Sequence, residues 1–152
     1  MKRLAVWLAT SGGLGYSPFA PGTVGSAAGL LIYFLTAHWS LLAQVALAAG
    51  VTLAGVWASS LAAQHFDRSD PSQVVIDEVA GQLVTLLGTG VGWTGALVGF
   101  VLFRIFDIIK PWPANRLESL HGGVGIMADD IMAAIYCCAI LHAVVWLVPG
   151  MR

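Results

Sequence analysis

Charge is what this 152-residue chain lacks: 10% of it is Asp, Glu, Lys or Arg, against 58% hydrophobic residues. A soluble domain carries about 25% charge, and one core could not hide this much apolar side chain, so lipid has to cover the rest. Acids are missing from whole regions, with none in 1–66, 79–106 or 131–152. Seven Lys and Arg against eight Asp and Glu leave a net charge of −1, which excludes the basic footprint of a nucleic-acid binder. Cysteine is nearly absent. Cys137 and Cys138 are the only two; neighbours on a helix point apart, so no structural disulfide is expected. The length fits one domain, residues 1–152. The apolar run Leu4–Ala9 behind Lys2 and Arg3 is shorter than a signal-peptide core. It is expected to be an amphipathic leading segment with Trp7 and Tyr16 at the membrane interface.

What acids there are fall into two windows: Asp67, Asp70, Asp77 and Glu78, then Asp107, Glu118, Asp129 and Asp130. Carboxylates held near lipid are expensive, so their gathering points to a built site. Leu41–Ala63 and Ile131–Val148 read as clean apolar spans, the first long enough at ~1.5 Å per residue to cross a ~30 Å hydrocarbon core. Val24–Ala37 is a shorter apolar helix whose Gly25 and Gly29 offer a face for close helix contact. Pro71 stops any helix continuing from the first span, and Ser72 is placed to cap the next, Val74–Leu87. Four glycines within 88–95 then break the chain before a helix over Ala96–Ile109, which Pro111 and Pro113 end. Asn115–Gly125 reads as a polar loop.

If the two acidic windows form one site, an even number of crossings separates them. That makes 79–106 a hairpin of two short helices, re-entrant or packed within the bundle. Lys2, Arg3, Arg68, Arg104, Lys110 and Arg116 then share one side, with Arg152 the exception. The positive-inside rule makes that side cytoplasmic. The expected architecture is an all-α integral membrane bundle with short or re-entrant helices and a polar site at the cytoplasmic helix ends.

Four stretches carry chemistry. In FRIFDIIKPWP, Arg104, Asp107 and Lys110 are three apart and share a helix face; two cations around one carboxylate suit a phosphate-bearing ligand, or form an interfacial ion-pair set. In GGVGIMADD, Asp129 and Asp130 stand at the expected start of the last span, where the helix dipole tolerates acids, so capping competes with ligand binding. In VIDEVAGQ, Asp77 and Glu78 lie about 100° apart on a helix, and Gly81 leaves room for a neighbouring backbone. In FAPGTVGS, Thr23 and Ser26 offer hydroxyls near a helix N-terminus, an anion site, unless Thr23 is simply its cap. Asp77, Glu78, Asp107, Asp129 and Asp130 are more acids than one Mg²⁺ needs; one metal with acid–base partners, or two metals, would use them. His121 lies in a polar loop beside the acids. Asp67, Asp70 and Glu118 read as solvated loop charges.

In order and spacing, FAPGTVGS, VIDEVAGQ, FRIFDIIKPWP and GGVGIMADDIMAAIY together resemble the phosphatidylglycerophosphatase A family, over nearly the whole chain. The resemblance implies an all-helical, Mg²⁺-dependent phosphatase of the bacterial inner membrane that converts phosphatidylglycerophosphate to phosphatidylglycerol and inorganic phosphate. The sequence has no Cys-x5-Arg loop and no Asp-x-Asp pair, which leaves metal-assisted attack by water. Asp77, Glu78, Asp107, Asp129 and Asp130 are then the expected metal ligands, with Asp77, Asp107, Lys110 and Asp130 in the catalytic machinery. Thr23, Ser26, Arg104, Lys110, Arg116 and His121 are expected to contact an anionic phospholipid substrate; self-association is left open. An ion or solute carrier is the rival, but it would place acids mid-span rather than at span ends.

Overall fold

Seven α-helices run through residues 2–151, the part of the chain that the computed structural model describes. They are α1 (Lys2–Ala9), α2 (Pro21–Thr36), α3 (Leu41–Phe66), α4 (Ile76–Thr85), α5 (Trp93–Ile109), α6 (Ala114–Leu117) and α7 (Gly123–Leu147). Single 3₁₀ turns occupy Leu14–Tyr16 and Pro149–Met151, and no strand occurs among the described residues.

Long-range contacts show which helix ends share a side. At one end, which we call the far end, the Tyr33 hydroxyl donates to Val91 O and Phe34 stacks on Trp93 with centroids 4.0 Å apart. There too, Gly88 N donates to Gln44 Oε1 and Gly92 N to Met151 O. At the other, near end, Val75 N donates to Ala9 O and Gly123 N to Ser60 Oγ, and Gly22 lies against Arg104. The chain therefore crosses the bundle five times, through α2, α3, α4, α5 and α7, while α1 and α6 lie at the near end. Two crossings, α4 out and α5 back, separate the acidic windows and bring both to the near end, as the glycine-break expectation required. Lys2, Arg3, Arg68, Arg104, Lys110 and Arg116 all belong to near-end segments; Arg152 lies outside the described residues.

Among the described residues, only α3 and α7, with 26 and 25 residues, are long and apolar enough to cross a membrane. At ~1.5 Å per residue α4 reaches about 15 Å, half a hydrocarbon core. It sits inside, packed by α2, α3, α5 and α7, with eight of its ten residues buried. The outer surface is the reverse of a soluble one. Leu31, Leu42, Leu53, Trp93, Ile108 and Trp146 are each at least 60% exposed, an apolar coat suited to lipid.

Several helix boundaries differ from the sequence reading. Helix α2 begins at Pro21 with Ala20 as its N-cap, so Thr23 does not cap it. Val75, not Ser72, precedes α4, and no side chain caps it. The largest shift is α7, which starts at Gly123 rather than Ile131. Asp129 and Asp130 therefore sit two turns inside the helix, where no backbone N–H is free, and capping is excluded. Gly25 and Gly29 do mark a close helix contact, against Val75 just before α4 and Val79 and Gln82 on it. Gly81 admits the Phe103 ring rather than a backbone. The cysteines are unpaired.

Candidate functional site

Where the near ends of α2, α4, α5 and α7 meet, a cavity of about 250 Å³ is lined by Asp70, Asp77, Glu78, Asp107, Asp129 and Asp130, with Arg104 and Lys110. Six of the eight acids in the chain thus face two cations. Each helix delivers its share for a local reason. Asp77 and Glu78 occupy the first turn of α4, where the macrodipole favours negative charge. Arg104 and Asp107 are one turn apart on α5, and Lys110 ends that helix in a left-handed C-cap with φ 47°. Asp129 and Asp130 project from α7 above the small Ala133 and Ala134, both fully buried.

The tightest group is Asp77, Glu78 and Asp130, which present carboxylate oxygens that all lie within 4.8 Å of one another. Asp77 Oδ1, Glu78 Oε2, Asp129 Oδ1 and Asp130 Oδ2 are buried and have no hydrogen-bond partner within the protein. Like charges this close in a low-dielectric bundle repel strongly, and a cation or a proton between them relieves that. Hard oxygen donors with free lone pairs are the donor set a divalent Mg²⁺-type ion takes. The three residues therefore fit such an ion, with Asp107 and Asp129 beside them.

The two cations hold the flanks. Arg104 Nη1 contacts Asp107 Oδ2 at 2.6 Å and Glu78 Oε1 at 3.8 Å, and donates to Ser26 Oγ at 3.4 Å. Lys110 Nζ contacts Asp129 Oδ2 at 2.6 Å and Glu118 Oε1 at 3.4 Å. Burial alone would lower the affinity of the Lys110 ammonium for its proton. The hydrogen bond and charge of Asp129 outweigh that and hold its pKa above the ordinary lysine value, so it acts as a fixed positive charge.

Helix α2 closes the third side. Ala20, Pro21 and Gly22 line the cavity. Ala20 holds a left-handed conformation, φ 43°, which aims the first turn of α2 at the acids. A Cβ on Gly22 would fall on Glu78 Oε1 and come within 3.1 Å of the Arg104 guanidinium, so a side chain here would displace the ends of both. Ser26 is fully buried against Arg104. Thr23 is exposed and does not line the cavity.

A second polar cavity of about 340 Å³ adjoins the first and shares Asp70, Ile126 and Asp129 with it. Its outer wall includes Glu118 and His121. Asp70 and Glu118 therefore border the site rather than standing free as loop charges. One-sided burial raises the Asp70 pKa, opposed by Lys110. Sequence reasoning missed both residues; the Asp70-Pro71 turn before VIDEVAGQ was the available signal for the first. Arg116, on α6, is exposed and borders neither cavity, and exposed Asp67 borders only a shallower groove beside Arg68 and His121.

Comparison with known proteins names this arrangement. The sequence profile of the family described as phosphatidylglycerophosphatase A matches residues 7–145. The phosphatidylglycerophosphatase A of Escherichia coli K12 is 37% identical, covering 89% of this chain and 80% of its own. The Haemophilus influenzae phosphatidylglycerophosphatase A is 34% identical, covering 90% and 86%. A Bacteroides thetaiotaomicron protein provisionally named phosphatidylinositol-3-phosphatase is 38% identical, covering 97% and 99%. No solved structure matches. The match runs from α1 almost to the end of α7 and takes in every residue of the acid cavity: the chain belongs to the phosphatidylglycerophosphatase A family and is a phosphatase.

Proposed function

We propose that this enzyme is a Mg²⁺-dependent lipid phosphatase that hydrolyses phosphatidylglycerophosphate to phosphatidylglycerol and inorganic phosphate. Its place is the bacterial inner membrane, as a multi-pass protein with its site on the cytoplasmic side. The observation that carries the reading is the convergence of Asp77, Glu78 and Asp130 within 4.8 Å, flanked by Arg104 and Lys110, at one end of a bundle with an apolar surface. The six basic residues of the near-end segments support the orientation.

Asp77, Glu78 and Asp130 would hold the cation, which when bound supplies Lewis acidity toward the phosphoryl oxygens and the attacking water. Arg104 and Lys110 neutralise phosphate oxygens. They are poised to do so because each already spans two carboxylates and exchanges one of them for phosphate at little cost. The free N–H groups in the first turn of α2 add donors for the same oxygens. A cavity carboxylate outside the cation set, Asp107 or Asp129, accepts the proton from water as its oxygen attacks phosphorus. The bond from phosphorus to the glycerol oxygen breaks, and that oxygen takes the proton back from the carboxylate. Lys110 contributes charge rather than proton transfer, because its pKa lies above the ordinary range. Exposed Phe19, Ile108 and Trp112 around this end let a lipid stay in the bilayer while its headgroup reaches the acids.

The test is phosphate release from phosphatidylglycerophosphate by the purified protein in detergent. Release is expected with Mg²⁺, lost in EDTA and restored by excess Mg²⁺; no release, or release that persists in EDTA, overturns the proposal. A phosphatidylinositol phosphate belongs in the same assay, since the name of the Bacteroides relative places the phosphomonoester on inositol. A carrier is not favoured, because the acids cluster at helix ends rather than along a transmembrane path.

A further inference from the structure

Three polar side chains on α4 form a line leading away from the acid centre. Glu78, Gln82 and Thr85 are spaced i, i+4 and i+7, so they stack on one helix face. Its Glu78 and Gln82 lie against α2, where a Cβ on Gly25 would sit 3.4 Å from Glu78 Cβ and one on Gly29 would sit 2.8 Å from Gln82 Cβ; Thr85 also meets α5, where a Cβ on Gly99 would sit 3.6 Å from its methyl carbon. Gln82 and Thr85 are fully buried. Gln82 Nε2, Gln82 Oε1, Thr85 Oγ1 and Glu78 Oε2 are all without hydrogen-bond partners in the protein. A carboxamide bare at both ends, deep in an apolar bundle, is destabilising where Leu or Met would pack freely.

The bare atoms complement one another in order. The Thr85 hydroxyl has a proton to donate and Gln82 Oε1 accepts; Gln82 Nε2 donates and Glu78 Oε2 accepts. Each step spans one helical turn, the reach of i,i+4 and i,i+3 side-chain pairs. We propose that Gln82 is a positioning residue for the Glu78 carboxylate, oriented in turn by Thr85, and that this relay sets how Glu78 faces the divalent cation. A carboxylate has two oxygens and about four lone-pair directions, so the carboxamide and the cation share it, with Arg104 beside Oε1. The proposal rests on the metal-centre reading above. Outer partners of metal ligands typically change affinity or activity about 10–100-fold when removed.

Mn²⁺ titration of the purified protein in detergent, followed by electron paramagnetic resonance, tests this without relying on turnover. Gln82→Met keeps the length and removes both polar ends; a rise of about 10–100-fold in the Mn²⁺ Kd is expected. Thr85→Val should weaken binding in the same direction by less, and Thr85→Ser should restore it. The Gln82→Met/Thr85→Val pair should bind no more weakly than Gln82→Met alone, since both act through one relay. Thermal unfolding in EDTA should show Gln82→Met no less stable than wild type, which separates positioning from folding. If Asp130→Asn abolishes Mn²⁺ binding while Gln82→Met and Thr85→Val leave it unchanged, the relay is wrong and the metal centre stands. If the wild type binds no Mn²⁺, both fall.

Discussion

Lys110→Met isolates the electrostatics of the site from its chemistry. Asp129 is nearly buried, with 5% of its side chain exposed, and Lys110 Nζ at 2.6 Å is the contact that compensates Oδ2. Its other oxygen, Oδ1, already has no partner within the protein. Removing the ammonium leaves a buried carboxylate with neither oxygen compensated, beside Asp130 and the rest of the acid cluster. Breaking a buried ion pair from one side costs about 3–5 kcal/mol. The 24% exposure of the Lys110 side chain favours the lower half of that range. For a chain of this size, about 2–4 °C of Tm per kcal/mol gives a fall of roughly 6–16 °C for about 3–4 kcal/mol. Thermal unfolding in detergent with EDTA is the assay, because a bound divalent cation would mask the loss. Adding Asp129→Asn to Lys110→Met removes the stranded charge and should recover most of the lost Tm. A Lys110→Met protein that melts within about 2 °C of wild type in EDTA, or a double variant no better than the single, would refute the claim that this pair is energetically coupled.

Two further outcomes follow from the same geometry. Asp130→Asn removes one oxygen of the 4.8 Å triad and should cut Mg²⁺-dependent phosphate release by more than about 100-fold, the upper end for a mere outer partner; retained turnover would move the cation elsewhere. Gly81→Val would place its Cβ in the Phe103 ring, an overpacking that costs about 1–3 kcal/mol; an unchanged Tm would show that α4 and α5 do not meet as described.

The helices themselves were legible because lipid forces a simple code: long uncharged runs for α3 and α7, with glycines and prolines where helices stop. The pairing of α2 with α4 was half visible, in Gly25 and Gly29. Helix starts were not. Gly122 and Gly123 looked like loop residues, yet Gly123 opens α7 because its missing side chain lets it close on Val56 and Ser60 of α3. That contact is about sixty residues away in sequence, and it turned Asp129 and Asp130 from cap candidates into interior side chains.

By itself, the sequence pointed to five acids, Asp77, Glu78, Asp107, Asp129 and Asp130, as one site, because a chain with 10% charge gathers them beside Arg, Lys and Gly. It made a turn-back at the glycines of 88–95 the condition for one shared site. Only the tertiary structure decided which carboxylates converge. Asp77 and Glu78 on α4 meet Asp130 on α7 although they are distant in sequence, and their meeting depends on how α4 is sandwiched between α2, α5 and α7. It also drew Asp70 and Glu118 to the cavity walls and left Thr23 and Arg116 outside. Hydropathy and spacing report which side chains share a helix face; which faces then meet is set by side-chain volumes at contacts distant in sequence, such as Gly22 on Glu78 and Gly81 on Phe103.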